Sequence, residues 1–123
     1  MRIVNGTDII EISRIKKDIE ELGKRFIDRI YTQKEIDYCE AKKNQKYQSY
    51  AVRFAAKEAI YKTLSGFIDF EYSWKDFEIL NDANGKPYVK LNFKIEQLED
   101  LQISLSHCKE YALANAVAIY KEI

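Results

Sequence analysis

Tyr111-Ala-Leu-Ala-Asn-Ala-Val-Ala-Ile-Tyr120 reads as a β-strand, and its four alanines mark a strand that packs closely against a helix. Upstream, residues from about Lys46 to Leu64 read as a helix. Its alanine-rich middle, Ala51 to Ala59, strongly favours that conformation, and Ser65-Gly66 ends it. Between these two segments the hydrophobic period shortens, and Phe77–Leu80, Tyr88–Phe93 and Gln102–Ser106 read as further strands. Asn84-Gly85 signals a hairpin turn, just ahead of Pro87, the chain's only proline. A short helix is expected over Lys94–Leu101. Towards the N-terminus, residues 2–12 read as a strand. Val4, Gly6, Asp8, Ile10 and Ile12 share one face, with Ile3, Asn5, Thr7, Ile9 and Glu11 on the other. Ser13 is placed as the N-cap of a helix from Arg14 to about Ile30, with Ile15, Ile19, Leu22, Phe26 and Ile30 on its apolar face. Thr32, with Glu35 three residues on, reads as a capping box opening another helix that fades into Ala41–Lys46. An N-terminal strand and helices followed by an antiparallel sheet predict an α+β fold, one domain spanning 1–123.

At 123 residues the chain has room for one core, and deep clefts wholly inside one subunit are costly to build at this size. Twenty basic residues balance twenty acidic ones, which argues against sequence-independent binding of nucleic acid. No apolar run approaches the ~20 residues of a membrane span, and Met1-Arg2-Ile3-Val4 leads straight into a patterned segment rather than a signal peptide. Cys39 and Cys108 form neither a metal spacing nor a disulfide framework, so a reducing, intracellular location is expected. The balanced total hides an uneven distribution. Residues 42–62 carry six positive side chains against one negative, and residues 67–101 carry four against eight. A local basic segment on a neutral protein points to a small anionic ligand or an acidic partner.

Several residues break the patterns around them. Asp8 shares its strand face with Val4, Ile10 and Ile12, and a carboxylate facing a core needs a cation or several donors. Glu58 and Lys62 stand four apart on a helix face otherwise formed by Ala51, Phe54 and Ala55. Arg53 and Lys57, also four apart, lie on an adjacent face, where two like charges are tolerable with an anion between them. His107, the only histidine, ends a strand, where its side chain can reach into a cleft. Each has a plainer structural reading: a turn cap for Asp8, a surface ion pair for Glu58–Lys62, a polar edge residue for His107. Taken together, Asp8 and Glu58 make a modest ligand set for Mg²⁺, and Arg53, Lys57, Lys62 and His107 are cations for phosphates. That is the equipment of phosphoryl-group transfer. No glycine-rich phosphate loop occurs, which sets aside P-loop and Rossmann enzymes.

Five blocks, in order and covering nearly the whole chain, resemble the short bacterial class of 4′-phosphopantetheinyl transferases, the holo-acyl-carrier-protein synthases. They are Gly6-Thr7-Asp8-Ile9 with Glu11 and Arg14, FIDRIYTQKEIDYC (Phe26–Cys39), RFAAKEAIYK (Arg53–Lys62), NGKPYV (Asn84–Val89) and SLSHCKEYALA (Ser104–Ala114). The family often has glycine where this chain has Val52, and a more glycine-rich turn than Leu64-Ser65-Gly66-Phe67. The resemblance implies a 4′-phosphopantetheinyl transferase-like fold. It also implies transfer of the phosphopantetheine arm of coenzyme A to a serine of apo-acyl carrier protein, in the cytoplasm and in support of fatty acid biosynthesis. Carried over by motif, Asp8 and Glu58 ligate Mg²⁺, with Glu58 or a water helping to deprotonate the serine. Lys62 neutralises or protonates the departing phosphate, Arg53 and His107 lie near the adenosine 3′-phosphate, and Gly85-Lys86-Pro87 lies near the adenine. Arg14 meets the acidic helix of the carrier. The family's homotrimers imply active sites at subunit interfaces, with the alanine-rich final strand facing a neighbouring subunit. The rival reading is a module that binds coenzyme A or an acidic carrier and transfers nothing.

Overall fold

Strand β1 (Arg2–Glu11) opens the computed structural model, which describes residues 1–121, and pairs along its whole length with the last strand, β5 (Tyr111–Tyr120). On its far side β5 pairs with β4 (Leu98–His107), so the antiparallel sheet runs β1-β5-β4 with β5 central. Across one face of this sheet lies the long helix α4 (Lys46–Leu64). The expected close packing is present: Ala51, Ala55, Ala56 and Ala59 of the helix and Ala112, Ala114, Ala116 and Ala118 of the strand are all buried. Small side chains on both surfaces let the helix axis approach the sheet, and the larger Ile10, Ile60, Leu64 and Ile103 complete the core around that contact. Those alanines face α4, as the close packing expected of this strand requires, so any contact of the strand with a neighbouring subunit would use its other face. The opposite face of β5 is the exposed one.

The chain between β1 and α4 holds three short helices: α1 (Ile12–Leu22), α2 (Lys24–Ile30) and α3 (Gln33–Glu40). The sequence predicts one helix from Arg14 to Ile30, and the structure corrects this in two ways. Gly23, at φ +57°, turns the chain between α1 and α2, in a backbone region open to glycine. Leu22 is consequently exposed rather than part of one apolar stripe. Nor is Ser13 the N-cap: α1 starts at Ile12, whose N–H donates to the Glu110 carbonyl in the β4–β5 turn (2.9 Å), so tertiary structure supplies an acceptor at this helix end. At α3 the capping box is present as read, with Thr32 Oγ1 accepting from Glu35 N–H and Glu35 Oε1 accepting from Thr32 N–H.

A separate hairpin pairs β2 (Phe77–Asn81) with β3 (Pro87–Leu91) around the turn that carries Asn84-Gly85. Asp82 organises that turn: its carboxylate accepts from the N–H groups of Asn84 and Lys86 (2.9 Å each), and Gly85 takes φ +83°. The short helix expected over Lys94–Leu101 does not form. β4 instead begins at Leu98 and follows β5 to its end, with one register shift between Leu98 and Asp100. The ladder offered by β5 overrides the local pattern there.

Candidate active site

β1 crosses α4 with no space between them at Gly6, where a Cβ would collide with the Ala59 carbonyl oxygen and the Thr63 hydroxyl. Asp8, two residues further along the same face, is carried to the turn of α4 that bears Glu58 and Lys62. Lys62 Nζ donates to the Thr7 carbonyl (2.9 Å) and to Asp8 Oδ1 (3.1 Å). The Asp8 side chain is 18% exposed, so it sits at the margin of the core with its partner cation towards solvent. Glu58 is half-buried. Its carboxyl is pushed above its ordinary pKa first by burial and then by the Asp8 carboxylate, while Lys62 and Arg14 pull it back. Asp8 of β1, Glu58 and Lys62 of α4 and Arg14 of α1 therefore share one electrostatic field. No three His, Cys, Asp or Glu side chains gather as a metal site among the described residues. Two mutually repelling carboxylates nevertheless suit a hard divalent cation such as Mg²⁺, whose shell is completed by phosphate oxygens and water. Glu58 also edges a cavity of about 250 Å³ whose other walls include Tyr61, Tyr72, Trp74 and Phe77.

Arg53 and His107 meet elsewhere, in a cavity of about 260 Å³ that Lys42, Gln48, Val52 and Pro87 also line. Arg53 is almost wholly buried and tightly aimed. Its guanidinium lies 4.1 Å from the centroid of the Tyr38 ring, Nη2 donates to Asn81 Oδ1 (2.6 Å) and Nη1 to Ser49 Oγ (3.3 Å). Its Nε is buried and has no hydrogen-bond partner among the described residues. Asn81 also donates to the Gly85 carbonyl (2.9 Å), tying Arg53 to the hairpin turn. Gly85 lines an adjoining cleft with Arg53, Asn81, Lys34 and Tyr88. Arg53, His107, Pro87 and Gly85 are thus brought together, and none of them lines the cavity at Glu58.

Lys57 lies in the wall of the Glu58 cavity, but its ammonium is turned into the protein, and its expected role as a phosphate contact is corrected. Its side chain is fully buried and donates to Glu35 Oε1 (2.8 Å), the Trp74 carbonyl (3.0 Å) and the Phe77 carbonyl (2.7 Å). Burial lowers its pKa and the Glu35 carboxylate opposes that. All three ammonium protons are taken up by acceptors inside the protein, leaving none to donate to a phosphate. Arg14 lines a groove with Asp18, Arg25 and Arg29, together with Leu22, Phe26 and Phe54. Cys39 is buried, its thiol pushed up to about 11 chiefly by burial, which makes it unreactive.

Sequence reasoning missed Asn81, Tyr38, Arg25 and Arg29. Asn81 stands four residues before the turn glycine, a spacing a turn-anchoring side chain can span. Arg25 and Arg29 are themselves four apart, on one helix face with Phe26 between them.

The chain belongs to the 4′-phosphopantetheinyl transferase superfamily, whose family model matches residues 5–116. It is an enzyme of the transferase class. A relative from Ruminiclostridium cellulolyticum, a holo-acyl-carrier-protein synthase, is 47% identical over 123 residues, covering 95% of this chain and 92% of the relative. Among solved structures, the Helicobacter pylori holo-acyl-carrier-protein synthase in complex with coenzyme A superposes with a TM-score of 0.81 at 30% identity, covering 94% of this chain and 99% of that one. The Bacillus anthracis holo-acyl-carrier-protein synthase, solved with coenzyme A (3′,5′-ADP), gives a TM-score of 0.76 at 34% identity and covers 94% of each chain.

Proposed function

We propose that this protein transfers the 4′-phosphopantetheine group of coenzyme A to a serine hydroxyl of apo-acyl carrier protein, with Mg²⁺, releasing adenosine 3′,5′-bisphosphate. The observation that carries the reading is the meeting of Asp8, Glu58 and Lys62 at the crossing of β1 and α4. Asp8 and Glu58 are the carboxylates that would hold the cation. When bound, Mg²⁺ draws negative charge from the pyrophosphate and so makes its phosphorus a better electrophile. Glu58, directly or through a water, takes the serine proton as the serine oxygen–phosphorus bond forms and the phosphorus–oxygen bond to the leaving bisphosphate breaks. Lys62 turns from Asp8 and Thr7 to donate to the leaving phosphate oxygen. Arg53 and His107, which line one cavity, hold the 3′-phosphate, and the Gly85-Lys86-Pro87 turn lies against the adenine. Arg14, Arg25 and Arg29 make the groove electropositive, suited to an acidic carrier. Arg14→Glu is expected to raise the KM for the carrier at least about tenfold while leaving coenzyme A affinity unchanged, and added salt to mimic it.

A single coenzyme A cannot use both clefts of one chain if they stay separate. We therefore place the complete site between copies of the whole 1–123 domain in a homotrimer. Exposed Ile3 and Ile9 of β1 and Tyr111 and Leu113 of β5, with Ile9 paired directly opposite Leu113, give the sheet an apolar outer face that supports such packing. The free cysteines are compatible with the cytoplasm, where this activity would serve fatty acid biosynthesis. No helix among the described residues is long and apolar enough to cross a membrane. Incubation with coenzyme A, Mg²⁺ and an apo-carrier, followed by intact-mass analysis, should show the carrier heavier by one phosphopantetheine. A carrier of unchanged mass beside a competent control enzyme would refute the reading.

A further inference from the structure

We propose that Trp74 is a substrate-positioning residue, the wall against which the donor arm and the acceptor segment of the carrier are brought together; the inference rests on the transfer reading above. Trp74 alone among the described residues lines both the cavity edged by Glu58 and the groove of Arg14, Arg25 and Arg29. A carrier docked by its acidic surface in the groove must present its serine past this indole to reach Glu58. The walls of the Glu58 cavity are largely aromatic, which suits the uncharged amide-and-thiol arm of the donor rather than a phosphate.

Two features make the indole a fixed wall instead of a loose lid. Its ring stacks on Phe54 (centroids 5.0 Å, planes at 26°), one helical turn before Glu58, and Phe54 stacks in turn on Phe26 of α2 (6.4 Å, 17°). Its backbone is pinned by the buried Lys57 ammonium, which donates to the carbonyls of Trp74 and Phe77 and is itself held by Glu35. The Ser73–Asp76 capping box closes the same turn, with Ser73 N–H donating to Asp76 Oδ2 (2.8 Å). The residue before Glu58 in the chain thus anchors the wall that faces Glu58, so the general base and the wall are set by adjacent positions of α4. Orientation of this kind acts on turnover more than on binding.

Trp74 is the protein's only tryptophan, so emission from the unaltered enzyme reads this site directly. Wild-type enzyme is first shown to load an apo-carrier, and its emission is then titrated with coenzyme A plus Mg²⁺ and, separately, with the apo-carrier. Each titration is expected to give a saturable change. Trp74→Ala is expected to lower kcat about tenfold or more with each KM within about threefold, and Trp74→Phe to restore most of the rate. Trp74→Ala turning over like the wild type would overturn the proposal, and so would wild-type emission unmoved by both substrates, a result that stands even if Trp74→Ala proves too unstable to assay. A wild type that loads no carrier would overturn the transfer reading, and this inference with it.

Discussion

Glu58 carries a cost that Lys62 and Arg14 relieve only in part. Its proton is held more tightly in the folded protein than in the unfolded chain, because burial and Asp8 disfavour its charged form. A carboxyl raised in this way contributes stability at acid pH that is lost as the pH rises through its folded pKa. At neutral pH the charged Glu58 therefore strains the ligand-free fold. Glu58→Gln is predicted to raise Tm at pH 7 in scanning calorimetry, an advantage that is gone below about pH 3, where both states of the wild type are protonated. The same variant should lose carrier loading by at least about a hundredfold. A variant that lost Tm and kept its rate would reverse both assignments. Spacing in the sequence was enough to set Glu58 and Lys62 on one face and to flag Asp8 as an inward carboxylate. It misassigned Lys57, because the four-residue interval to Arg53 is blind to the tertiary carboxylate that engages one of two neighbouring buried cations and not the other. That partner, Glu35, was legible only as half of a capping box. Its second oxygen accepts from Ile79 N–H (3.0 Å) across forty-four residues of sequence, and no local pattern reports such a contact.

Elements deliver these residues, and the tightest delivery is the crossing of β1 over α4. Gly6→Ala would drive a methyl group into the Ala59 carbonyl and the Thr63 hydroxyl, which itself donates to Ala59 O (2.8 Å). Overpacking of this kind costs about 1–3 kcal/mol. A lowered Tm is therefore expected together with a fall in loading rate, since Asp8 rides two residues along on the displaced strand. A Gly6→Ala protein with wild-type Tm and rate would show that the crossing has room to spare. Alternation along β5, the alanines of α4 and the turn of the β2–β3 hairpin were readable because each is a local periodic or turn signal. The break at Gly23 was masked by apolar residues that continue at helical spacing on both sides of it. The extension of β4 back to Leu98 depends on β5 as a template, which the sequence of β4 alone does not contain.

At the scale of the molecule, Glu58 and the Arg53–His107 pair line separate clefts of one small chain, and Ile3, Ile9, Tyr111 and Leu113 are exposed on the outer face of its sheet. Ile9→Asp is predicted to convert a three-chain mass in light scattering to a one-chain mass and to abolish loading while leaving the helical far-UV signal intact. A fully active single chain would place the whole site within one subunit. The groove of Arg14, Arg25 and Arg29 left no mark on the charge distribution, because acidic side chains of the same N-terminal segment, Asp18 of the groove among them, cancel those arginines in the sum. The most direct test is the initial rate of carrier loading by Asp8→Asn beside the coenzyme A dissociation constant of the same variant. A pair of carboxylates that holds the cation predicts a rate reduced at least about a hundredfold, recovered in part by raised Mg²⁺, with the dissociation constant changed by no more than about tenfold. A variant loading carrier at the wild-type rate would contradict it.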